Sequence, residues 1–142
     1  MTTGNFQYSF STPISASEAF AHLLNPRNWW VGLFNETIQG KSEAINDEFS
    51  FSAGDGVHYS NQRLLECVPD EKLVWLVTES NLSFLQNTNE WAGTKICFDL
   101  EKMDAQTKIT FTHLGLTPQI GCYGGCSSAW TRYLQKLEEA LR

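Results

Sequence analysis

One histidine, two cysteines and four glycines fall within the twenty residues FTHLGLTPQIGCYGGCSSAW, Phe111 to Trp130. His113, Cys122 and Cys126 are of the types that bind metals, form disulfides or act as nucleophiles. A structural zinc site takes four ligands, commonly in paired Cys/His spacings. These three residues are one short and match no such pattern. Side chains four apart on a regular helix hold their Cβ atoms about 5–6 Å apart, beyond the roughly 3.5–4.5 Å of a disulfide. The Gly124-Gly125 pair could relax that geometry, so a Cys122–Cys126 bridge is disfavoured rather than barred. A thiolate at Cys126, helped by the dipole at the start of a last helix, would need a base, and His113 is the candidate at hand. The simplest expectation is a hinge between a last strand and a last helix, with Cys126 packed four residues before Trp130 on the same face. Neither a metal nor a cofactor is expected.

These residues must be positioned by elements that the patterning announces. Phe6 to Phe10 alternate as a strand with one buried face, and Pro13 ends it. Ser15 stands three before Glu18, a capping-box spacing, and Ala16, Ala19, Phe20 and Leu23 follow at helical intervals. Asn25-Pro26 stops that helix, and a second short helical piece is expected over Arg27 to Val31, carrying Trp29 and Trp30. Strands are then expected over 36–40, 48–53, 57–67, 73–80, 94–103 and 108–114. The breaks Gly54-Asp55-Gly56, Pro69-Asp70 and Asp104-Ala105 supply turn chemistry, which implies an antiparallel meander. A last helix over Ser127 to Arg142 carries an apolar stripe of Trp130, Tyr133, Leu134, Leu137 and Leu141 that must lie on the sheet. The fold class is therefore α+β, a curved antiparallel sheet of six to seven strands around a long C-terminal helix, in one domain spanning 1–142.

Period-two alternation assigns faces. Ile96, Phe98 and Leu100 share the side toward the helix, as do Ile109, Phe111 and His113, whereas Cys97 points outward. Phe49 and Phe51 point inward, and so does one of His58 and Tyr59. In 73–80 both alternating sets are apolar, so the face carrying Trp75 is undecided.

Composition excludes several classes. The formal charge is −6 and the ten Lys and Arg are scattered, which speaks against a nucleic-acid partner and against an anionic membrane surface. No apolar run approaches the roughly 20 residues that span a bilayer. The start MTTGNFQYSF has neither a basic segment nor an apolar run, so cytoplasmic location and reduced thiols are expected. Aromatic residues make up 13% of the chain, enough for a thick core or a walled pocket.

The order of Trp29-Trp30, VPDEKLVWLVTES (68–80), EWAGTKICFDL (90–100), KITFTHLGL (108–116) and CYGGCSSAW (122–130) resembles the SRPBCC superfamily. Within it the chain is similar to a bacterial branch of the group named for the C-terminal domain of the activator of Hsp90 ATPase. The resemblance covers nearly the whole chain. It implies the helix-grip fold shared with START and Bet v 1-type proteins. It also implies a cavity between sheet and long helix that receives lipids, hormones, polyketides or other apolar molecules in relatives. It carries over no catalytic residue set, and it does not bring Hsp90 activation.

The expectation that follows is a soluble binding module for a small, largely apolar ligand. Ile96, Phe98, Ile109, Phe111 and Trp130 would form wall, joined by Phe49, Phe51 and Leu134. Of Trp29 and Trp30, one packs in the core while the other, taken as Trp30, rims the mouth. Trp75 is placed at the cavity with plain packing as its alternative, and plain packing is expected of Trp91. His113 is either a polar anchor for the ligand or a core histidine bonded to local backbone. Two other functions stay open. An enzyme of the cyclase, hydratase or hydrolase kind would draw on His113, His58 or Glu90, which no spacing ties together. A chaperone cofactor or stress regulator would use a surface patch. A homodimer is left open.

Overall fold

The computed structural model describes residues 5–54, 56–83, 88–117 and 123–142. Strand β1 (Phe6–Thr12) leads into helix α1 (Ala16–Leu24), whose N-cap Ser15 accepts from the Glu18 backbone N–H at 3.1 Å. Its buried side chains are Ala16, Ala19, Phe20 and Leu23, the residues at helical spacing in the sequence. After Asn25 the chain makes a single 3-10 turn, Pro26–Asn28, in place of the helical piece expected over Arg27 to Val31. Trp29 leaves helical geometry at φ −140° and ψ −21°, and Gly32 takes a left-handed φ of 94°. The two tryptophans therefore project from an irregular segment.

Six strands follow: β2 (Thr37–Gly40), β3 (Glu48–Ala53), β4 (His58–Val68), β5 (Lys72–Leu82), β6 (Lys95–Met103) and β7 (Gln106–Leu114). The sheet order is β1-β7-β6-β5-β4-β3-β2, with every pairing antiparallel. Thus α1 and the segment after it carry the chain from one edge of the sheet to the other. The β4–β5 register slips between Asn61 and Gln62 and again between Leu64 and Glu66. Such bulges bend a sheet.

The first slip settles the face of β5. Thr78 has no cross-strand partner, so the parity of inward positions changes there. Leu73, Trp75 and Val77 are buried before it, and Ser80 and Leu82 after it. Val74 is also covered, beside Cys97 on the outer face. Both alternating sets are apolar for that reason.

Helix α2 (Tyr123–Ala140) lies across the inner face with Cys126, Trp130, Tyr133, Leu134 and Leu137 buried. It begins four residues before the expected Ser127, so Gly124-Gly125 form part of its first turn rather than a hinge. A glycine there is tolerated because end positions contribute little, and a Cβ at either one would meet no atom within 4 Å. The other end is pinned to β1: Thr12 Oγ1 donates to the Leu141 carbonyl, and Tyr8 Oη donates to Glu138 Oε1 at 2.9 Å.

Between helix and sheet sits Trp29. Its ring stacks on Trp30 at 5.7 Å between centroids and stands edge-on to Phe98 at 5.0 Å, with Phe111, Trp75 and Trp130 around it. Its Nε1–H donates to the Leu23 carbonyl at 2.9 Å. Trp29→Ala is therefore expected to lower stability by about 3–5 kcal/mol. Urea unfolding checks this, and a loss below about 1 kcal/mol would mean that the core closes without the indole.

Candidate ligand pocket

A cavity of about 260 Å³ opens where the start of α2 faces the turn between β3 and β4. Trp30, Phe51, Trp91 and Trp130 form its depth, with His58, Ala53, Cys126 and Tyr133 beside them. Phe34, Val57, Gly54, Gly125 and Ala129 complete the lining, and Phe34 and Val57 are exposed. Two exposed apolar side chains thus stand at the mouth of an aromatic recess.

The wall is ordered by ring contacts. Trp30 stacks on Phe51 at 4.0 Å, and Trp91 lies nearly parallel to Trp130 at 5.8 Å. His58 meets Trp91 edge-on at 4.6 Å and Phe51 at 5.4 Å. Tyr133 Oη donates to Glu36 Oε2, and the same carboxylate accepts backbone N–H groups from Gly32 and Phe34 at 2.7 and 2.9 Å. Burial alone would raise the Glu36 pKa. The Tyr133 and backbone donors outweigh it and hold the carboxyl below its usual range. Burial, then the hydrogen bond to Glu36, pushes the Tyr133 phenol well up. The segment that carries Phe34 to the mouth is in this way tied to α2.

His113 lies behind the wall. Trp130 Nε1–H donates to His113 Nδ1 at 3.0 Å, which leaves the ring proton on Nε2. That Nε2–H reaches Thr94 Oγ1 at 2.8 Å, and Thr94 donates to the Trp91 carbonyl at 2.6 Å. Every polar atom of the imidazole is satisfied inside the protein, and the residue is fully buried. Burial pushes its pKa down to about 3, with a smaller contribution from His58. A charged ring could not accept from Trp130. Of the two roles open to His113, the bonded core histidine is the one that the geometry matches, with side-chain rather than backbone partners.

The other residues expected at the cavity divide. Trp30, Phe51 and Trp130 line it. Phe49, Trp75, Ile96, Phe98, Ile109, Phe111 and Leu134 are buried in the core and do not reach its surface. Trp75 donates from Nε1 to Ser42 Oγ at 2.9 Å, as a packed indole does. Trp29 takes the core position, and Trp30, expected to rim the mouth, lies instead in the depth of the pocket, buried against Phe51 and Trp130. Trp91, expected only to pack, is wall. Of the lining residues that pattern reading missed, Phe34, Gly54, Trp91 and Val57, the last expected to open a strand, sit in turns where no periodicity assigns a face, whereas Ala53 ends β3 and Gly125 and Ala129 lie on α2. Tyr133 was visible in the stripe of α2.

The thiol and carboxylate candidates scatter. Cys126 lines the pocket, and Cys122 lies outside the described residues. Cys97 is covered on the outer face, where burial pushes its thiol up to about 11. Glu90 is half-buried in the turn before Trp91 and does not line the cavity. Among the described residues no group of three His, Cys, Asp or Glu could hold a metal ion.

The buried histidines make stability depend on pH. Burial pushes His58 down to about 4, and His113 to about 3, from 6.5 in the unfolded chain. Below pH 6.5 the unfolded state binds protons that the folded state refuses. Stability is therefore complete above that pH and falls as the solution is acidified toward pH 4, by up to about 1.4 kcal/mol per pH unit for each histidine. Urea midpoints measured at pH 7, 5.5 and 4.5 should decline, and less steeply in His58→Phe. A flat profile would show that both rings accept protons in the folded state.

A family model described as "Activator of Hsp90 ATPase homolog 1-like protein" matches residues 14–142. No curated protein matches the sequence. Among solved structures, the chain is similar to an Aha1 dimer from Colwellia psychrerythraea. The match has 21% identity and a TM-score of 0.75, over 98% of this chain and 96% of that one. A protein from Mesorhizobium loti matches at 20% identity and a TM-score of 0.70, over 94% of each chain. One from Arthrobacter aurescens matches at 13% identity and a TM-score of 0.74, over 96% of this chain and 85% of that one. At such identities these structures speak for the fold, the one derived above from the order of elements. With the family model covering all but the first strand, the chain belongs to the Activator of Hsp90 ATPase homolog 1-like protein family.

Proposed function

We propose that the domain is a binding module that holds a small, largely apolar molecule in the pocket between the sheet and the start of α2. The observation that carries this reading is the aromatic recess itself, Trp30, Phe51, Trp91 and Trp130, left open beside a core that is otherwise packed with rings. A dry apolar cavity of about 150 Å³ takes up benzene. The roughly 260 Å³ here suits a bicyclic or a short-chain molecule. Small pockets of this kind bind through buried apolar area, with a few polar groups setting orientation.

The chemistry of the lining supports binding over turnover. A general acid or base works best with a pKa near the operating pH. His58 is held near 4 and Tyr133 is held high, so each keeps its neutral form at pH 7. Among the described residues no Lys or Arg lines the recess, which favours an uncharged occupant over an anionic one. Among the described residues no helix is long and apolar enough to cross a membrane. The Colwellia protein is described as a dimer, and a homodimer is proposed for this chain as well. Sedimentation at micromolar concentration should return twice the mass of the monomer, and a single monomeric species would refute it.

Native mass spectrometry of protein purified from its own host, followed by organic extraction, tests the binding reading. The expected result is a reproducible small apolar molecule at near-stoichiometric occupancy. Ala129→Trp fills the mouth from a half-buried helix position and should abolish that adduct while leaving the unfolding free energy within about 1–3 kcal/mol of the parent. Bare polypeptide mass from both proteins would turn attention to transient substrates or protein partners.

A further inference from the structure

One face of β4 carries a row of polar side chains whose polar atoms, unlike those of the buried His113 and Thr94, find no partner. His58 Nε2, Ser60 Oγ and both amide atoms of Gln62 are buried and make no hydrogen bond within the protein. Alternation places these three residues on one side of the strand. That side is the inner one, because their partners on β3 are Ala53, Phe51 and Phe49, all members of the core. Ser60 and Gln62 are completely inaccessible, at 0% exposure. Leu64, next along the same face, is a fully buried hydrocarbon. An apolar residue would thus fit the row sterically, and an unpaired buried amide or hydroxyl weakens a fold.

The row begins at the pocket. His58 is part of its lining, and Ser60 follows one inward step along the strand, about 7 Å away. Phe51, directly across from Ser60, is also pocket wall. The mouth, by contrast, is apolar: Phe34, Val57 and Ala129. The unpaired atom that the recess itself presents is thus His58 Nε2, at the wall and not at the apolar mouth, with Ser60 and Gln62 behind the lining. The unpaired atoms include both donors and acceptors. Among the described residues neither carboxylates nor Lys or Arg line the recess to pair with a charged head, and a buried unpaired charge is strongly disfavoured.

Resting on the pocket reading above, we propose that the ligand is a neutral amphiphile bound head first. Its hydrogen-bonding head, a group that both donates and accepts such as a carboxamide, hydroxyl or un-ionised carboxyl, engages His58 Nε2, with Ser60 and Gln62 next in the row behind the lining. Its apolar body lies against Trp30, Trp91 and Trp130 and ends at Phe34.

Three probes of similar size separate the parts: toluene, benzamide and benzoate, titrated into the full chain while the indole N–H resonances of Trp30, Trp91 and Trp130 are followed. Benzamide is expected to bind at least tenfold tighter than either toluene or benzoate. In His58→Phe the benzamide-to-toluene affinity ratio should collapse to about one. Gln62→Leu, which replaces an unpaired amide by a hydrocarbon of similar size, should raise Tm by several degrees. If toluene binds and benzamide binds no tighter, the head-first proposal fails while the apolar pocket stands. If none of the probes moves the indole signals, both fail. A lowered Tm in Gln62→Leu would show that its amide is satisfied in the folded protein, and would overturn the proposal independently.

Discussion

The indole N–H of Trp130 requires an acceptor once helix α2 is laid on the sheet, and His113 Nδ1 provides it. This bond determines more than its own geometry. Because Nδ1 accepts, the ring proton resides on Nε2 and points at Thr94, which in turn holds the carbonyl of Trp91. One imidazole thereby joins α2, strand β7 and the turn before β6. The two indoles it connects are the parallel rings that wall the pocket. A buried network of this kind is stabilising only when complete, since each orphaned member would carry its full desolvation penalty. The histidine is neutral because burial excludes its charge, and it can serve the wall only while neutral.

Along α2 the same logic repeats with other chemistry. Tyr133 reaches Glu36, Tyr8 reaches Glu138, and Thr12 holds the carbonyl of Leu141, just past the end of the helix. Apolar area supplies the attraction between helix and sheet but no direction. The polar attachments choose the angle and height at which the helix rests. Trp29 and Trp30, delivered by an irregular segment, then fill most of the space that a curved sheet leaves beneath it. What remains open is the part they do not reach, between Trp30 and the turn after β3. The pocket is thus the remainder of a packing problem, lined by rings because rings did the packing.

Membership in the Activator of Hsp90 ATPase homolog 1-like family and the similarity to bacterial structures of the same fold place this geometry in company. They do not choose its occupant. The distinctive feature of this chain is polar: a neutral histidine held at the wall, and a row of unpaired hydroxyl and amide atoms behind it on β4. Tools for reading apolar patterns are blind to such a row, because Ser60 and Gln62 look in the sequence like residues of a solvent face.

Much of the architecture was legible before any coordinates. Alternation in 94–103 and 108–114 set inner faces correctly because those strands are regular, and the Ser15–Glu18 spacing and the stripe of α2 need only local geometry. Strand β5 defeated the same method, since Val74 is covered on the outer face beside Cys97 and both alternating sets are therefore apolar. The site was less legible still. Periodicity can say that Phe98 and Phe111 point inward, yet it cannot say that Trp29 covers them and keeps them from the cavity. Phe34, Val57 and Trp91 lie in turns, where no period assigns a face. By itself the sequence determined the elements, their order and the inner face of each regular strand, because these depend on neighbours within a few residues. Only the tertiary structure decided which inward side chains are core and which are wall. That division depends on which distant segments fill the space first.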